Sequence, residues 1–275
     1  MSDLEYPGHD KRHVWHPFTQ AQTAPDPIAI RAGRGAVLYA EDGREFLDVI
    51  SSWWVTLHGH GHPKIAEAVA EQAKKLEQVI FAGFTHRPAS TLAQRLTALL
   101  PGNLNRVFFS DDGSTAVEVA LKMAHQYWRN KDQPGRCKYL AFDGGYHGDT
   151  VGAMSAGASS GYFSQWEDLM FQVTSLSYPE TWEGDGEVEA KEAASLAALD
   201  QYLTDHGNET AALIVEPLVQ GASGMRMCRP EFLTAVAARL KAADILLIFD
   251  EVMTGFGRTG DLFACLKATV TPDII

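Results

Sequence analysis

The 275-residue chain is 45% hydrophobic and 21% charged, which supplies enough apolar side chain for one large core or for one core with a smaller companion. Its formal net charge of −12 speaks against the clustered cationic surface that nonspecific nucleic-acid binding needs. No apolar run reaches transmembrane length, so neither nucleic acid nor a membrane is expected as a partner. Cys137, Cys228 and Cys265 are odd in number and far apart, without a Cys-x-x-Cys pair, which suggests neither a disulfide framework nor a zinc site. The first residues carry acids and a Pro-Gly pair in place of a basic segment followed by an apolar one, and a cytoplasmic location is the resulting expectation.

In chain order, Val37 to Ala40 and Glu45 to Ile50 flank Glu41-Asp42-Gly43-Arg44, a hairpin signal that predicts a small antiparallel piece near the N-terminus. Ser51-Ser52-Trp53-Trp54 follows, then the Gly-rich loop His58-Gly59-His60-Gly61-His62, where Pro63 can open a helix. Alternating histidines in such a loop share no fixed face, so no metal site is expected there. Ile65, Val69, Leu76 and Val79 predict one covering helix, and Leu92, Leu96, Leu99 and Leu100 a second after Pro88. From there strands and helices alternate. Strands are predicted at Arg106 to Phe109, Lys138 to Phe142, Phe171 to Leu176, Ala211 to Val215 and Ile245 to Phe249, and helices at Ser114 to Trp128, Glu187 to Tyr202 and Pro230 to Lys241. Repeated units of this kind imply an α/β fold, a mostly parallel central sheet with helices on both faces.

In such a sheet ligands sit beyond the carboxyl ends of the strands, and polar residues cluster at those ends. Gly113-Ser114 opens a helix after the first strand, where free N–H groups and the helix dipole favour a phosphate, although a plain cap by Asp112 or Ser114 is the commoner reading of such a start and Asp111 and Asp112 weigh against an anion. Tyr146 and His147 stand in the Gly-flanked loop Asp143 to Asp149, either projecting a ring over a ligand or packing a turn. Glu216 follows one strand as a functional acid or a loop cap, and Asp250-Glu251 follow the five-residue apolar strand 245 to 249. Trp53-Trp54 could wall a ligand pocket, make a subunit contact or pack in a core. Gly255, Gly257 and Gly260 spell a dinucleotide fingerprint, but two carboxylates would face the pyrophosphate and no good helix begins at Gly260.

An anion site, a stacking aromatic and a strand-end carboxylate together suit pyridoxal phosphate, which also needs a Lys for its Schiff base. The run from Asp250 to Gly260, with Gly113-Ser114, Tyr146-His147-Gly148 and Glu216-Pro217, closely resembles the class III pyridoxal phosphate aminotransferases of fold type I. Trp15-His16-Pro17-Phe18, Ser51-Ser52-Trp53-Trp54, Val219 to Ala222 and Gly224 to Met227 resemble the branch of that family that aminates 8-amino-7-oxononanoate in biotin synthesis with S-adenosylmethionine as amino donor.

The resemblance implies that Gly113 and Ser114 hold the cofactor phosphate and that Tyr146 stacks on the ring and touches substrate. It also implies that Asp250 faces the pyridine nitrogen and that Trp53 and Trp54, with Phe18, line the substrate pocket. Phe18 stands where relatives usually carry Tyr, which leaves the amino donor open. The resemblance further implies that residues 1–63 belong to a small domain and 64–275 to a large cofactor-binding domain, in a homodimer when complete. It places the Schiff-base Lys a few residues after the segment Thr271-Pro272-Asp273-Ile274-Ile275, so the expectation is an N-terminal portion without that Lys or the C-terminal part of the fold, inactive by itself. An inactive shortened protein that binds the cofactor or pairs with full-length subunits, and another class III ω-aminotransferase, are the alternatives.

Overall fold

The computed structural model describes residues 6–275, with side chains from residue 8 onward. The described chain packs as two units that divide between Thr85 and His86.

In the first unit a short helix, α1 (Tyr6–His13), precedes the antiparallel strands β1 (Ile30–Arg34), β2 (Val37–Ala40) and β3 (Glu45–Leu47). The expected hairpin forms with Val37 opposite Leu47 and Tyr39 opposite Glu45. Its turn is closed by Gly43 at φ +87° and by Asp42, whose Oδ1 accepts the N–H of Arg44 at 3.0 Å. Pro63 opens α2 (Pro63–Ala73), because a residue without an N–H loses nothing in the first turn. Between these elements Ser51, Ser52, Trp53 and Trp54 all take left-handed backbone angles, φ +51°, +46°, +59° and +73°. For L-residues that geometry costs about 1–2 kcal/mol each, so this turn persists only where neighbouring groups hold it.

The second unit is a three-layer α/β structure. Four parallel strands, β4 (Lys138–Phe142), β5 (Val173–Leu176), β6 (Thr210–Val215) and β9 (Leu246–Phe249), stand in the order β5-β4-β6-β9. Side chains alternate across this sheet, as the two-residue period of a strand dictates. Leu140, Phe142, Leu213, Val215, Leu247 and Phe249 pack on α6 (Val188–His206) and α7 (Pro230–Ala242) through Leu199, Phe232, Leu233 and Leu240. Tyr139, Ala141, Ala212, Ile214 and Ile248 pack on α4 (Gly113–Asn130) and α5 (Val151–Ala156) through Val117, Leu121, Ala124, Trp128 and Ala153. The helix α3 (Arg87–Leu99) precedes α4, a small antiparallel pair, β7 (Val219–Gln220) and β8 (Arg226–Met227), lies between β6 and α7, and α8 (Ala264–Lys267) follows β9.

One predicted strand does not form. Arg106 to Phe109 is irregular, and Phe108 is 64% exposed. A strand needs a ladder partner for its backbone groups. Among the described residues, the open side of β9 is met instead by Ile274, which bridges Ile248 in parallel.

Candidate active site

Val215 and Phe249 are partners in the last register position of β6 and β9, so both chains leave the sheet together and set Glu216 and Asp250 at its carboxyl end. The N–H of Asp250 continues the ladder by donating to Val215 O at 2.9 Å. The Asp250 side chain is almost buried. Its Oδ2 lies 2.8 Å from Nδ1 of His147, which is 3% exposed, and its Oδ1 accepts from Val252 N at 3.1 Å. Burial opposes a charge on His147, but the bond to Asp250 and the carboxylate charge outweigh it and raise its pKa above the ordinary 6.5. Asp250 and His147 therefore form a buried hydrogen-bonded pair in which the carboxylate favours the protonated imidazole.

Glu216 sits next to this pair, with Oε1 accepting from Tyr146 N and Oε2 from Gly221 N, both at 2.9 Å. Burial pushes its carboxyl up to about 7, against the charge of His147 and with a contribution from Asp250. The acid is thus a tether that fastens the loop after β4 to the loop after β6. Glu251 has a separate role, accepting the N–H groups of Ala264 and Cys265 at 2.7 Å each and so capping α8.

The start of α4 lies against the same strand ends. Asp112 caps it in a reciprocal box, accepting Thr115 N at 2.8 Å while Thr115 Oγ1 accepts Asp112 N at 3.0 Å. The carboxylate is thereby spent on the third N–H of the helix, and those of Gly113 and Ser114 have no intrahelical acceptor. A Cβ on Gly113 would come within 3.0 Å of Val252, and one on Gly148, at φ +117°, within 2.7 Å of the Cα of Ser114. Ser114 Oγ accepts from Thr150 N and donates to Thr150 Oγ1, each at 2.9 Å. The helix start is therefore in contact with the loops after β4 and β9. Tyr146, in the first of these loops, stacks on Phe163 at 6.0 Å, and its hydroxyl donates to Asp149 at 3.2 Å. Burial, helped by Asp149, pushes that phenol up to about 12.

Four of the residues singled out from sequence, Gly113, Ser114, Tyr146 and Asp250, thus converge at one sheet edge. Phe18, Trp53 and Trp54 belong to the first unit, where Phe18, at φ +56°, meets Trp53 edge-on at 5.2 Å. Sequence reasoning assigned no partner to His147 and did not single out Thr150 or Asp48. For His147 the signal was its place beside Tyr146 between glycines. For Asp48 it was an acid four residues ahead of Ser52, and for Thr150 there was none. Chemically, the convergence offers N–H donors for an anion at a helix start, a buried carboxylate for a cationic group, and an aromatic ring beside them. This set fits a flat heterocycle that carries a phosphate and a ring nitrogen to be kept protonated.

The class III aminotransferase family model matches residues 18–275. An adenosylmethionine-8-amino-7-oxononanoate aminotransferase of Synechococcus elongatus is 61% identical over 96% of this chain and 61% of its own length. Among solved structures, the enzyme of that name from Methanocaldococcus jannaschii is 34% identical, with TM-score 0.87 over 96% of this chain and 58% of its own. An amine transaminase from an uncultivated Pseudomonas species, solved with pyridoxal phosphate bound, is 33% identical with TM-score 0.86, over 95% of this chain and 60% of its own. The chain spans about three fifths of the length of these relatives. The chain belongs to the class III aminotransferases, pyridoxal phosphate enzymes of fold type I.

Proposed function

We propose that this chain provides the cofactor floor and part of the substrate wall of an aminotransferase that converts 8-amino-7-oxononanoate to 7,8-diaminononanoate with S-adenosylmethionine as amino donor. The observation that carries the cofactor part is the buried Asp250–His147 pair beside the helix start at Gly113 and Ser114, which packs against Val252. The substrate part rests on the names of the relatives and on the Trp53-Trp54 pair.

In this reading the N–H groups of Gly113 and Ser114 hold the phosphate, the ring of Tyr146 covers the pyridine, and Asp250 faces its nitrogen. His147 donates to Asp250 and keeps the carboxylate oriented, and Glu216 holds the Tyr146 loop in place. When bound, pyridoxal phosphate supplies an electron sink and a carrier for the amino group. Asp250 keeps the ring nitrogen protonated by opposing its charge in a water-poor setting. Trp53 and Trp54, with Phe18, present an apolar surface that suits the hydrocarbon part of an oxononanoate. Residues 1–63 form part of the small domain and 64–275 part of the large one, in a cytoplasmic homodimer.

Equilibrium dialysis of the 275-residue chain against pyridoxal phosphate tests the cofactor floor. Saturable binding that weakens at least about tenfold in Asp250→Asn is the expected result, in line with about 1.4 kcal/mol or more for the lost charge pair. Binding that Asp250→Asn leaves unchanged contradicts the assignment. In the full-length gene product, amino transfer from an ω-amino acid but none from S-adenosylmethionine would replace the proposed donor.

A further inference from the structure

The left-handed turn Ser51–Trp54 is a strained segment that none of the cofactor contacts explains. Four consecutive residues other than glycine have φ between +46° and +73°, and the two tryptophans are among them. Backbone bonds close this turn, with Trp54 N donating to Ile50 O and Thr56 N to Ser51 O at 3.0 Å each, and one carboxylate grips it from the side. Asp48 Oδ1 accepts the N–H of Ser52 at 2.9 Å, and Asp48 Oδ2 accepts the Ser52 hydroxyl at 2.7 Å. Nε2 of His60 lies 2.8 Å from the same Oδ2. The Asp48 side chain is 6% exposed and that of His60 18%, although the turn itself lies at the surface and Trp53 is 58% exposed.

His60 is itself fixed by the chain: its N–H donates to Gly35 O at 2.8 Å and its carbonyl accepts Gly35 N at 3.0 Å. Gly33 leaves room for it, since a Cβ there would stand 2.8 Å from the Cβ of His60. A path of hydrogen bonds thus runs from the β1–β2 turn through His60 and Asp48 to the backbone of Ser52. The bonds from Ser52 hold Asp48 near pKa 2, so the carboxylate is charged at all working pH values.

We infer that Asp48 is a positioning residue that keeps Ser51–Trp54 left-handed and thereby sets the direction of the Trp53 and Trp54 rings, the specificity surface of the enzyme. The functional consequence rests on the reading that these tryptophans line the substrate pocket, whereas the mechanical one does not. An Asn at position 48 keeps one carbonyl acceptor for Ser52 but cannot serve the backbone N–H, the hydroxyl and His60 together. An Ala serves none of them.

Fluorine NMR of the chain with all six tryptophans fluorinated tests this, with resonances assigned by Trp53→Phe and Trp54→Phe. Asp48→Ala is expected to shift the Trp53 and Trp54 lines and leave those of Trp128, Trp166 and Trp182 in place, with Asp48→Asn intermediate and Asp48→Glu failing to restore the native positions. Unmoved Trp53 and Trp54 lines in Asp48→Ala overturn the inference. Movement of all six lines overturns it as well, since Asp48 would then serve the fold in general. Addition of 8-amino-7-oxononanoate to the full-length holoenzyme is a separate arm. If the lock holds but the ligand leaves both tryptophan lines unshifted, the substrate-wall reading fails and the positioning role stands.

Discussion

The two regions that carry polar function are built on opposite principles. At the sheet edge of the second unit, Asp250, His147 and Glu216 are buried, each with partners at ordinary distances, and the strands beneath them are among the most buried of the chain. In the first unit the Trp53-Trp54 turn is exposed and strained, and the carboxylate of Asp48 pins it. The sheet edge gains its rigidity from packing, which many residues share, so its shape tolerates small changes at the surface. The turn depends on few bonds and carries unfavourable backbone angles, so a single side-chain change can redirect it.

The largest effect is expected where burial is greatest. Asp250→Ala leaves His147 buried without its counter-charge, and a loss of about 3–5 kcal/mol in urea denaturation is expected, the usual cost of removing one member of a buried pair. A loss below about 1 kcal/mol would place the sheet edge with the exposed turn rather than against it. Next comes Gly148→Ala, which forces a Cβ against Ser114 at a backbone angle of +117°. A loss of about 1–3 kcal/mol is expected from overpacking, together with weaker binding of pyridoxal phosphate, because the helix start is what moves. Unchanged cofactor affinity would show that the approach of Gly148 to Ser114 does not shape the anion site.

The pH dependence sharpens the same contrast. Glu216 binds its proton more tightly folded than unfolded, since its carboxyl stands at about 7 against an ordinary 4.5. Its favourable contribution is complete below about pH 4.5 and is lost as the pH climbs to about 7, up to roughly 3 kcal/mol in all. His147, raised above 6.5, adds a loss of the same sign at higher pH. Urea titrations across this range should therefore show stability falling with pH from these two groups, and Glu216→Gln should flatten the lower part of the slope. A slope unchanged in Glu216→Gln would assign the effect elsewhere. The smallest effect is expected for Asp112→Asn, which keeps a good cap and removes a charge near the helix start. Stability should stay within about 0.5 kcal/mol, and affinity for pyridoxal phosphate should rise slightly as an anion is no longer repelled.

Much of this was readable from residues in order. The alternation of apolar runs with amphipathic stretches marked four of the five predicted strands that follow the second covering helix, most clearly β6 and β9, because a strand buried on both faces is apolar almost throughout. Pro63, Asp42-Gly43 and the glycines around Tyr146 marked where the chain turns, since their backbone preferences are local. The placement of Tyr146 and Asp250 at strand ends followed from connectivity, whereas Gly113 and Ser114 follow an irregular segment and reach the sheet edge through the packing of their helix. The strand predicted at Arg106 to Phe109 was apolar enough to qualify, but a ladder is a property of two segments and composition reports on one.

What the tertiary structure decided is partnership. Sequence placed Glu216 and Glu251 as acids at strand ends without distinguishing a catalytic acid from a cap, and only the contacts show Glu216 tying Tyr146 to Gly221 and Glu251 capping α8. His147 could have been surface or core until Asp250, more than a hundred positions away, was found 2.8 Å from it. The handedness of Ser51–Trp54 ran against the local preference of every residue in it, so no propensity could have announced it. Local chemistry dictates where a chain bends and which faces are apolar, whereas the pairing of charges and the retention of strain depend on residues brought together from distant parts of the sequence.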